Sequence, residues 1–338
     1  MRIGYNPNKD KLLDKSDYFH QVIIPVYIPN QVGYFKDSLQ ILKLCLESLF
    51  KTSYSQTYFT VVNNGSCTDV KDYLDDLYHK GKLQEVIHTT GIGKLNAILK
   101  GLIGHQFKLI TITDADVLFQ NEWQKATYEV FDAFPKAGSV ATTPNSRMCK
   151  YFTSNVIFDS FFSNTIKFTE VVNPQAMDMF AKSIGSPGLF DELHLNKYLT
   201  VEKNKKKAVV GSGHFVATYR GDIFDAIKMR YSSFSLGGTS ETDLLDKPVV
   251  DNGYWRLSTL DNHTLHMGNT LEEWMEIEIG KLNENHEFVP PPVLKSCTSN
   301  ALSNWFKNGL FSRLIFRKTL WELFLQSKGL TKTESIRY

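Results

Sequence analysis

Cysteine is scarce in this chain and poorly placed for cross-linking: Cys45, Cys67, Cys149 and Cys297 are widely scattered, with no CxxC pair. A disulfide framework or cysteine-rich zinc site is therefore not expected, and a reducing compartment suits the sequence. Long apolar runs are also lacking. The first, Val22-Ile23-Ile24-Pro25-Val26, is short and broken by proline, and no other run reaches the roughly 18 residues that a membrane span requires. No leader-like segment is visible, so the expectation is a cytoplasmic protein, soluble or peripheral to the inner face of a membrane. An excess of one charge is missing too: a formal net charge of +2 gives no general affinity for nucleic acid. No internal repeat is found. What remains is an ordinary globular composition, 42% hydrophobic, in a chain long enough for one elaborated domain or two lobes.

The first half alternates strand-like and helix-like segments. Residues 21–26 read as a strand, and residues 36–50 as a helix with Leu39, Leu42, Leu46 and Leu49 on one stripe. A strand over 58–63 ends in the turn Asn64-Gly65-Ser66. A helix capped by Thr68 or Asp69 follows to about Tyr78. A strand over 85–89, a helix over 93–104 and a buried strand over 107–113 complete the series. This rhythm predicts an α/β fold with a mainly parallel sheet and helices on both faces. Its ligand site is expected beyond the carboxyl ends of the strands. After Pro144 the pattern breaks, and residues 145–205 read as irregular, ending in a solvated lysine run at 203–207. Residues 209–219 read as one further strand around Gly211-Ser212-Gly213-His214. Pro290-Pro291-Pro292 reads as a stiff linker, and the tail beyond it as helical and basic.

Asp114-Ala115-Asp116 ends the strand over 107–113. Two carboxylates at the tip of a buried strand are costly without a partner. A divalent cation, Mn²⁺ or Mg²⁺, holding a nucleotide diphosphate explains them best. Asp116 is assigned to the metal and Asp114 to a ribose or the metal's water shell. Gly91-Ile92-Gly93-Lys94 brings backbone amides and an ammonium to a helix start, where anions bind. It lacks the spacing of a Walker loop. Asn63 and Asn64 offer donors and acceptors to a base or ribose, although Asn-Gly is also common turn chemistry. Glu241 and Asp243 follow a Gly-Gly pair; either can act as general base toward an acceptor hydroxyl, or cap the helix starting near Thr242. His263 and His266 are three apart, and neutral imidazole is a competent metal ligand.

In order and spacing, Val-Ile-Ile-Pro-Val-Tyr (22–27), Val-Val-Asn-Asn-Gly-Ser (61–66), Gly-Lys-Leu-Asn-Ala (93–97) and Thr-Asp-Ala-Asp (113–116) resemble the inverting family-2 glycosyltransferases of GT-A fold. The resemblance is strong over about residues 20–120 and continues more weakly to about 270. It implies a nucleoside-diphosphate sugar as donor, with a UDP-sugar favoured, and transfer with inversion to an acceptor hydroxyl in cell-surface polysaccharide or glycoconjugate synthesis. Pro25, Val26, Tyr27, Asn63 and Asn64 then surround the base, and Lys94, Asn96, Asp114 and Ala115 meet the rest of the donor. Where the family has Asp-Asp or Asp-Asn before Gly-Ser, this chain has Asn63-Asn64. By the same resemblance Glu241 is the catalytic base, a Glu in place of the usual Asp, and Asp243 matches the next acid. His266 joins Asp116 at the metal, and His214 is a minor contributor to the acceptor pocket.

Three readings compete: the glycosyltransferase, a sugar-phosphate nucleotidyltransferase, and a catalytically silent nucleotide-sugar binding module. The nucleotidyltransferase is disfavoured, because the first strand leads to Tyr27-Ile28-Pro29-Asn30 rather than to a loop rich in glycine and basic residues. A GT-A domain is expected over 1–285, with a nucleotide-binding half at about 20–145 and an acceptor half at about 145–285. A linker and helical basic extension cover 286–338. The acceptor is expected to be a saccharide or a lipid-linked saccharide. The basic, aromatic tail has two readings: a helix pair packed on the core, which is the default, or a peripheral membrane contact.

Overall fold

In the computed structural model, which describes residues 3–12, 16–225, 227, 229–284, 287–297 and 300–338, the first half follows the expected alternation. The elements are β1 (His20–Val26), α1 (Ser38–Thr52), β2 (Thr57–Asn64), α2 (Thr68–His79), β3 (Glu85–Thr89), α3 (Lys94–Leu102) and β4 (Leu109–Thr113). β1 pairs in parallel with β2 and with β4, and β2 with β3. The apolar run of β1 is continuous because both of its faces are covered: Val22 and Ile24 pack into one core cluster and Ile23 into another. Leu42, Leu46 and Leu49 of α1 are fully buried beside Val22 and Ile24, as the helical stripe requires. α2 starts at Thr68 after Cys67, with no side-chain cap from Thr68 or Asp69.

β5 (Val117–Phe119), α4 (Trp123–Ala133) and β6 (Ala137–Ala141) follow. The segment expected to be irregular holds regular elements: α5 (Ser154–Ser160), β7 (Ile166–Glu170), α6 (Pro174–Ser183), α7 (Glu192–Asn196) and β8 (Lys197–Lys203). The lysine run turns from β8 into β9 (Lys206–Val210), with Asn204 and Lys205 at positive φ. The single strand expected over 209–219 is two, β9 and β10 (Val216–Arg220). They are parted by a loop in which Gly211 adopts φ 107° and a Cβ would lie 2.6 Å from the Met148 carbonyl oxygen. Only glycine fits there. That break delivers His214 to the strand ends.

α8 (Asp222–Asp225), a π-helical turn over Thr242–Asp246, α9 (Lys247–Asp251), β11 (Trp255–Ser258), β12 (Thr264–His266) and α10 (Glu273–Gly280) come next. The helical tail is α11 (Ala301–Trp305), a π-helical turn over Phe306–Phe311, α12 (Ser312–Ile315), α13 (Lys318–Ser327) and α14 (Lys332–Arg337). No described helix is long and apolar enough to cross a membrane. The expected boundary between residues 285 and 286 falls outside the described residues.

The ten-stranded sheet runs β3-β2-β1-β4-β10-β6-β11-β9-β8-β7, and β12 pairs with β5 apart from it. The expected parallel arrangement holds in β3-β2-β1-β4 and returns in β6-β11; antiparallel β10 joins the two, and β9, β8 and β7 extend the far edge antiparallel. Trp321, Phe324 and Leu325 of α13 are buried in the same cluster as Leu199 and Val201 of β8, so one face of the tail is packed on the core.

Candidate active site

Three parallel strands, β1, β2 and β4, end on the same side, and β10 begins beside the end of β4. Thr113 is fully buried, and the chain leaves β4 into Asp114, whose N–H donates to Phe215 O at 2.8 Å. Ala115 packs on the core below, and Asp116 O accepts from Met267 N–H at 2.8 Å, tying the motif to the end of β12. The two aspartates are thus anchored by backbone and keep their side chains for other partners.

Those side chains diverge: residues i and i+2 of a strand would share a face, but β4 ends at Thr113 and both aspartates lie beyond it. Asp114 Oδ1 lies 2.5 Å from Lys94 Nζ, and the same ammonium lies 3.4 Å from Glu241 Oε1. Burial alone would lower the lysine's pKa, but Asp114 and Glu241 outweigh it and raise it. Lys94 is the first residue of α3, after Gly93 at φ 89°. Its N–H donates to Ser235 O at 3.0 Å, so segment 231–240 clasps the helix start. Asn96, expected at the donor, binds this clasp: it donates to Ile92 O and Ser232 O and accepts from Ser232 N–H.

Glu241 Oε2 meets His214 Nε2 at 3.2 Å, and His214 Nδ1 lies 3.6 Å from Asp246 Oδ1. Arg256 donates to that same Asp246 oxygen at 2.6 Å from a fully buried position. Arg256–Asp246–His214–Glu241–Lys94–Asp114 is therefore one string of alternating charge, running from the core to the strand tip. Its electrostatics follow from that order. The His214 hydrogen bond, against an opposing burial effect and assisted by Lys94, lowers Glu241 to about 2. Burial would lower His214, but Asp246 and Glu241 raise it to about 9. Neither Glu241 nor Asp243 caps a helix; the π-helical turn begins directly after Glu241. Asp243 N–H donates to Thr239 O, and its carboxylate has no direct place in the string.

Asp116 Oδ2 is 3.5 Å from His266 Nε2, and His266 Nδ1 is 3.0 Å from Ser183 Oγ. Phe180 and Phe215, stacked 4.9 Å apart, both pack edge-on to the imidazole. The other aspartate oxygen, Oδ1, is buried without a hydrogen-bond partner. Burial raises the Asp116 pKa, with His266 opposing and Asp114 adding to the rise. An orphaned anionic oxygen beside an oriented imidazole suits a divalent cation with oxygen and nitrogen ligands. Among the described residues no group of three or more His, Cys, Asp or Glu converges on one point. Asp116 and His266 are the two side chains brought together at this point. His263 does not join them: its N–H donates to Thr142 O and its carbonyl accepts from Gln120, on the far side of β12.

The expected base pocket is built from shorter contacts. Val26 is fully buried and Pro25 pairs in register with Val62, so both are walls of the strand end. Tyr27 is exposed, with its ring edge-on to Phe35 at 5.9 Å and near Gly91. Asn63 Oδ1 accepts from Ser66 N–H, its Nδ2 meets His88 Nδ1 at 2.9 Å, and Asn64 Oδ1 accepts from Ile92 N–H. Both asparagines hold the turns that frame the pocket. Gly65 needs its φ of 86°, since a Cβ there would sit 2.7 Å from Gly91 N.

Asp246, Arg256 and Ser183 were not foreseen. Asp246 lies in the π-helical turn and Arg256 on β11, and they meet side chain to side chain, so no local pattern marks them. Ser183 ends α6 in the stretch read as irregular.

The sequence family described as Glycosyl transferase family 2 matches residues 22–193, about half of the chain. No curated protein sequence matches it. Among solved structures, mannosyltransferase PcManGT from Pyrobaculum calidifontis, in complex with GDP-Man and Mn²⁺, is 13% identical, covering 94% of this chain and 75% of that chain with a TM-score of 0.45. TarS 1–349 from S. aureus is 13% identical over 92% of this chain and 81% of that chain, with a TM-score of 0.44. Its complex with UDP-GlcNAc is 14% identical over 90% and 75%, with a TM-score of 0.43.

Proposed function

The chain belongs to glycosyl transferase family 2 and is a glycosyltransferase, and from that premise we propose that it transfers a sugar from a nucleoside-diphosphate sugar to an acceptor hydroxyl with inversion. The observation that carries this reading is the convergence of Lys94, Asp114, Glu241 and His214 beside Asp116, whose Oδ1 has no protein partner. Residues of about 20–145 supply the donor half and those of about 145–285 the acceptor half. The base lies against Pro25, Val26, Tyr27 and the turns framed by Asn63 and Asn64, with UDP as the favoured nucleotide. Asp116 and His266 would hold Mn²⁺ or Mg²⁺, and Asp114 would meet the ribose or the metal's water. When bound, the cation supplies Lewis-acid stabilisation of the leaving diphosphate.

Lys94 adds electrostatic stabilisation to the same leaving group. The acceptor O–H gives its proton to Glu241 as the acceptor oxygen bonds the anomeric carbon. The bond from that carbon to the diphosphate oxygen breaks, and its electron pair leaves with the diphosphate. A carboxylate held near 2 is fully ionised but a weak base. A diphosphate that draws Lys94 away removes one of the two cations holding it there, so Glu241 becomes more basic once donor is bound. His214, steadied by Asp246, orients the carboxylate. The enzyme acts in the cytoplasm, on a saccharide or lipid-linked acceptor of polysaccharide or glycoconjugate synthesis.

The test is product analysis with purified protein and a nucleotide-sugar panel. Nucleoside diphosphate release with an inverted anomeric centre in the product supports the reading. Pyrophosphate release from a nucleoside triphosphate and a sugar phosphate would instead support a nucleotidyltransferase, and binding without turnover would leave a silent module.

A further inference from the structure

No Asp or Glu lies between Glu287 and Glu322, a stretch that carries Lys295, Lys307, Arg313, Arg317 and Lys318. Residues 301–315 of it fold as the helical run from α11 to α12. The inward side of this run is fully used. Ile315 is buried, Phe311 packs on Phe158 and Phe161, Lys307 pairs with Asp159, and Asn308 donates to Val250 O. The outward side is apolar instead of polar. Leu302, Trp305, Leu310 and Leu314 are exposed, Trp305 by 63% and Leu302 by 72%, while Phe306 is partly turned in against Phe158. Phe162, at 98% exposure, adds an apolar side chain from the α5–β7 connection, and Leu320 and Leu323 continue the surface onto α13.

Single exposed apolar residues are ordinary, but a contiguous stripe with an outward tryptophan marks a surface that is covered in use. Its surroundings identify the cover. Arg313, Arg317 and Lys318 are exposed at the edge of the stripe, and none has an ionic partner among the described residues. Apolar side chains flanked by cations without ionic partners among the described residues, with Glu322 the one acid between 301 and 323, match the boundary of an anionic bilayer, where Trp and Phe enter the interface and Lys and Arg meet headgroups. We propose that this face of residues 301–323 docks the enzyme on an anionic lipid surface.

The placement also bears on the acceptor, in a step that rests on the assignment of Glu241 as base. The Asn308 contact falls on α9, which continues from the π-helical turn directly after Glu241. The inward side of the run therefore faces the helix that carries on from the base and the docking face is its outward side, so an acceptor carried on a lipid headgroup would have to extend past the α11–α12 run to reach Glu241.

The test is co-sedimentation of the full chain with phosphatidylcholine vesicles, with and without phosphatidylglycerol, over a salt series. One variant combines Trp305→Ser and Leu310→Ser; another combines Arg313→Ala, Arg317→Ala and Lys318→Ala. Binding is expected to require phosphatidylglycerol, to weaken with salt, and to fall by roughly tenfold or more in each variant, with melting temperature and donor binding unchanged. Equal binding to both vesicle types, or variants that bind as wild type does, would overturn the proposal. So would a wild-type dimer in light scattering that the Trp305 variant converts to monomer, which would assign the stripe to a second copy. Donor binding is measured without lipid, so its failure would strike the active-site reading alone.

Discussion

Replacing Glu241 by Gln keeps the side chain's shape and removes its charge, and two consequences can be sized from the contacts it makes. Lowering a carboxyl from 4.5 to about 2 corresponds to roughly 3 kcal/mol favouring the anion. His214 at 3.2 Å and Lys94 at 3.4 Å provide most of it. Water reaches part of the cluster, so roughly 1–3 kcal/mol of this is expected to appear as folding stability. The sign follows from the depressed value: the contribution is present above pH 4.5 and is lost as pH falls through about 2. Wild type should therefore melt a few degrees above Glu241→Gln at pH 7, and the gap should close in strong acid. General-base loss should independently lower turnover by about 10²–10⁴-fold at saturating donor. The assays are thermal melts across pH and initial-rate release of nucleoside diphosphate, with donor affinity measured separately. Equal melting temperatures at pH 7 would refute the ion pairs, and turnover within about a factor of ten of wild type would refute Glu241 as the base.

Three further outcomes follow from the same cluster. Asp116→Ala should abolish the stabilisation that Mn²⁺ or Mg²⁺ gives in the presence of nucleotide, without lowering the metal-free melting temperature, because relief of a buried carboxylate with one oxygen unpartnered outweighs the lost contact to His266 at 3.5 Å; thermal melts with and without metal check it. His214, raised from 6.5 to about 9, contributes stability that is full below pH 6.5 and lost as pH rises through about 9. Wild type should accordingly lose more stability between pH 7 and 10 than His214→Ala does, as read by chemical denaturation at each pH. Gly93→Ala should cost roughly 1–3 kcal/mol and weaken donor affinity, since Gly93 sits at φ 89° and a Cβ would lie 2.9 Å from Phe234 O in the clasp that holds Lys94. Denaturant unfolding and donor titration test that pair of effects.

The parts of this site that could be read in the chain are those where local pattern and local chemistry coincide. The apolar run before Asp114 announced a strand buried on both faces, and Gly93-Lys94 announced a helix start able to meet an anion. Parallel order puts both at the same edge of the sheet, and the crossing of α3 over β2 and β1 brings Lys94 to Asp114. Residues 145–205 were opaque because β7 is a short edge strand with only Ile166 buried, so no period of two shows. The strand expected over 209–219 failed at Gly211, whose positive φ breaks the run, and that break is what turns His214 toward Glu241. Asp246 and Arg256 belong to the site through tertiary pairing. An acid next to Lys247 and an arginine next to Trp255 look like surface residues in sequence, and both are fully buried. Asn96 is placed at the start of α3 as expected, and its hydrogen bonds to Ser232 of the 231–240 segment could not be read from the sequence.

The central claim is that the strand-end carboxylates and Lys94 form a metal-assisted site for a nucleoside-diphosphate sugar. Melting temperature across a panel of nucleotide-sugars, each with and without Mn²⁺, tests it most directly. Donors of one base should raise it only with the metal present, approaching about 2.7 kcal/mol of added stability at a hundred times the dissociation constant, and Asp116→Ala should erase the effect. A protein that no nucleotide-sugar stabilises, or one stabilised equally without metal and in Asp116→Ala, would contradict it.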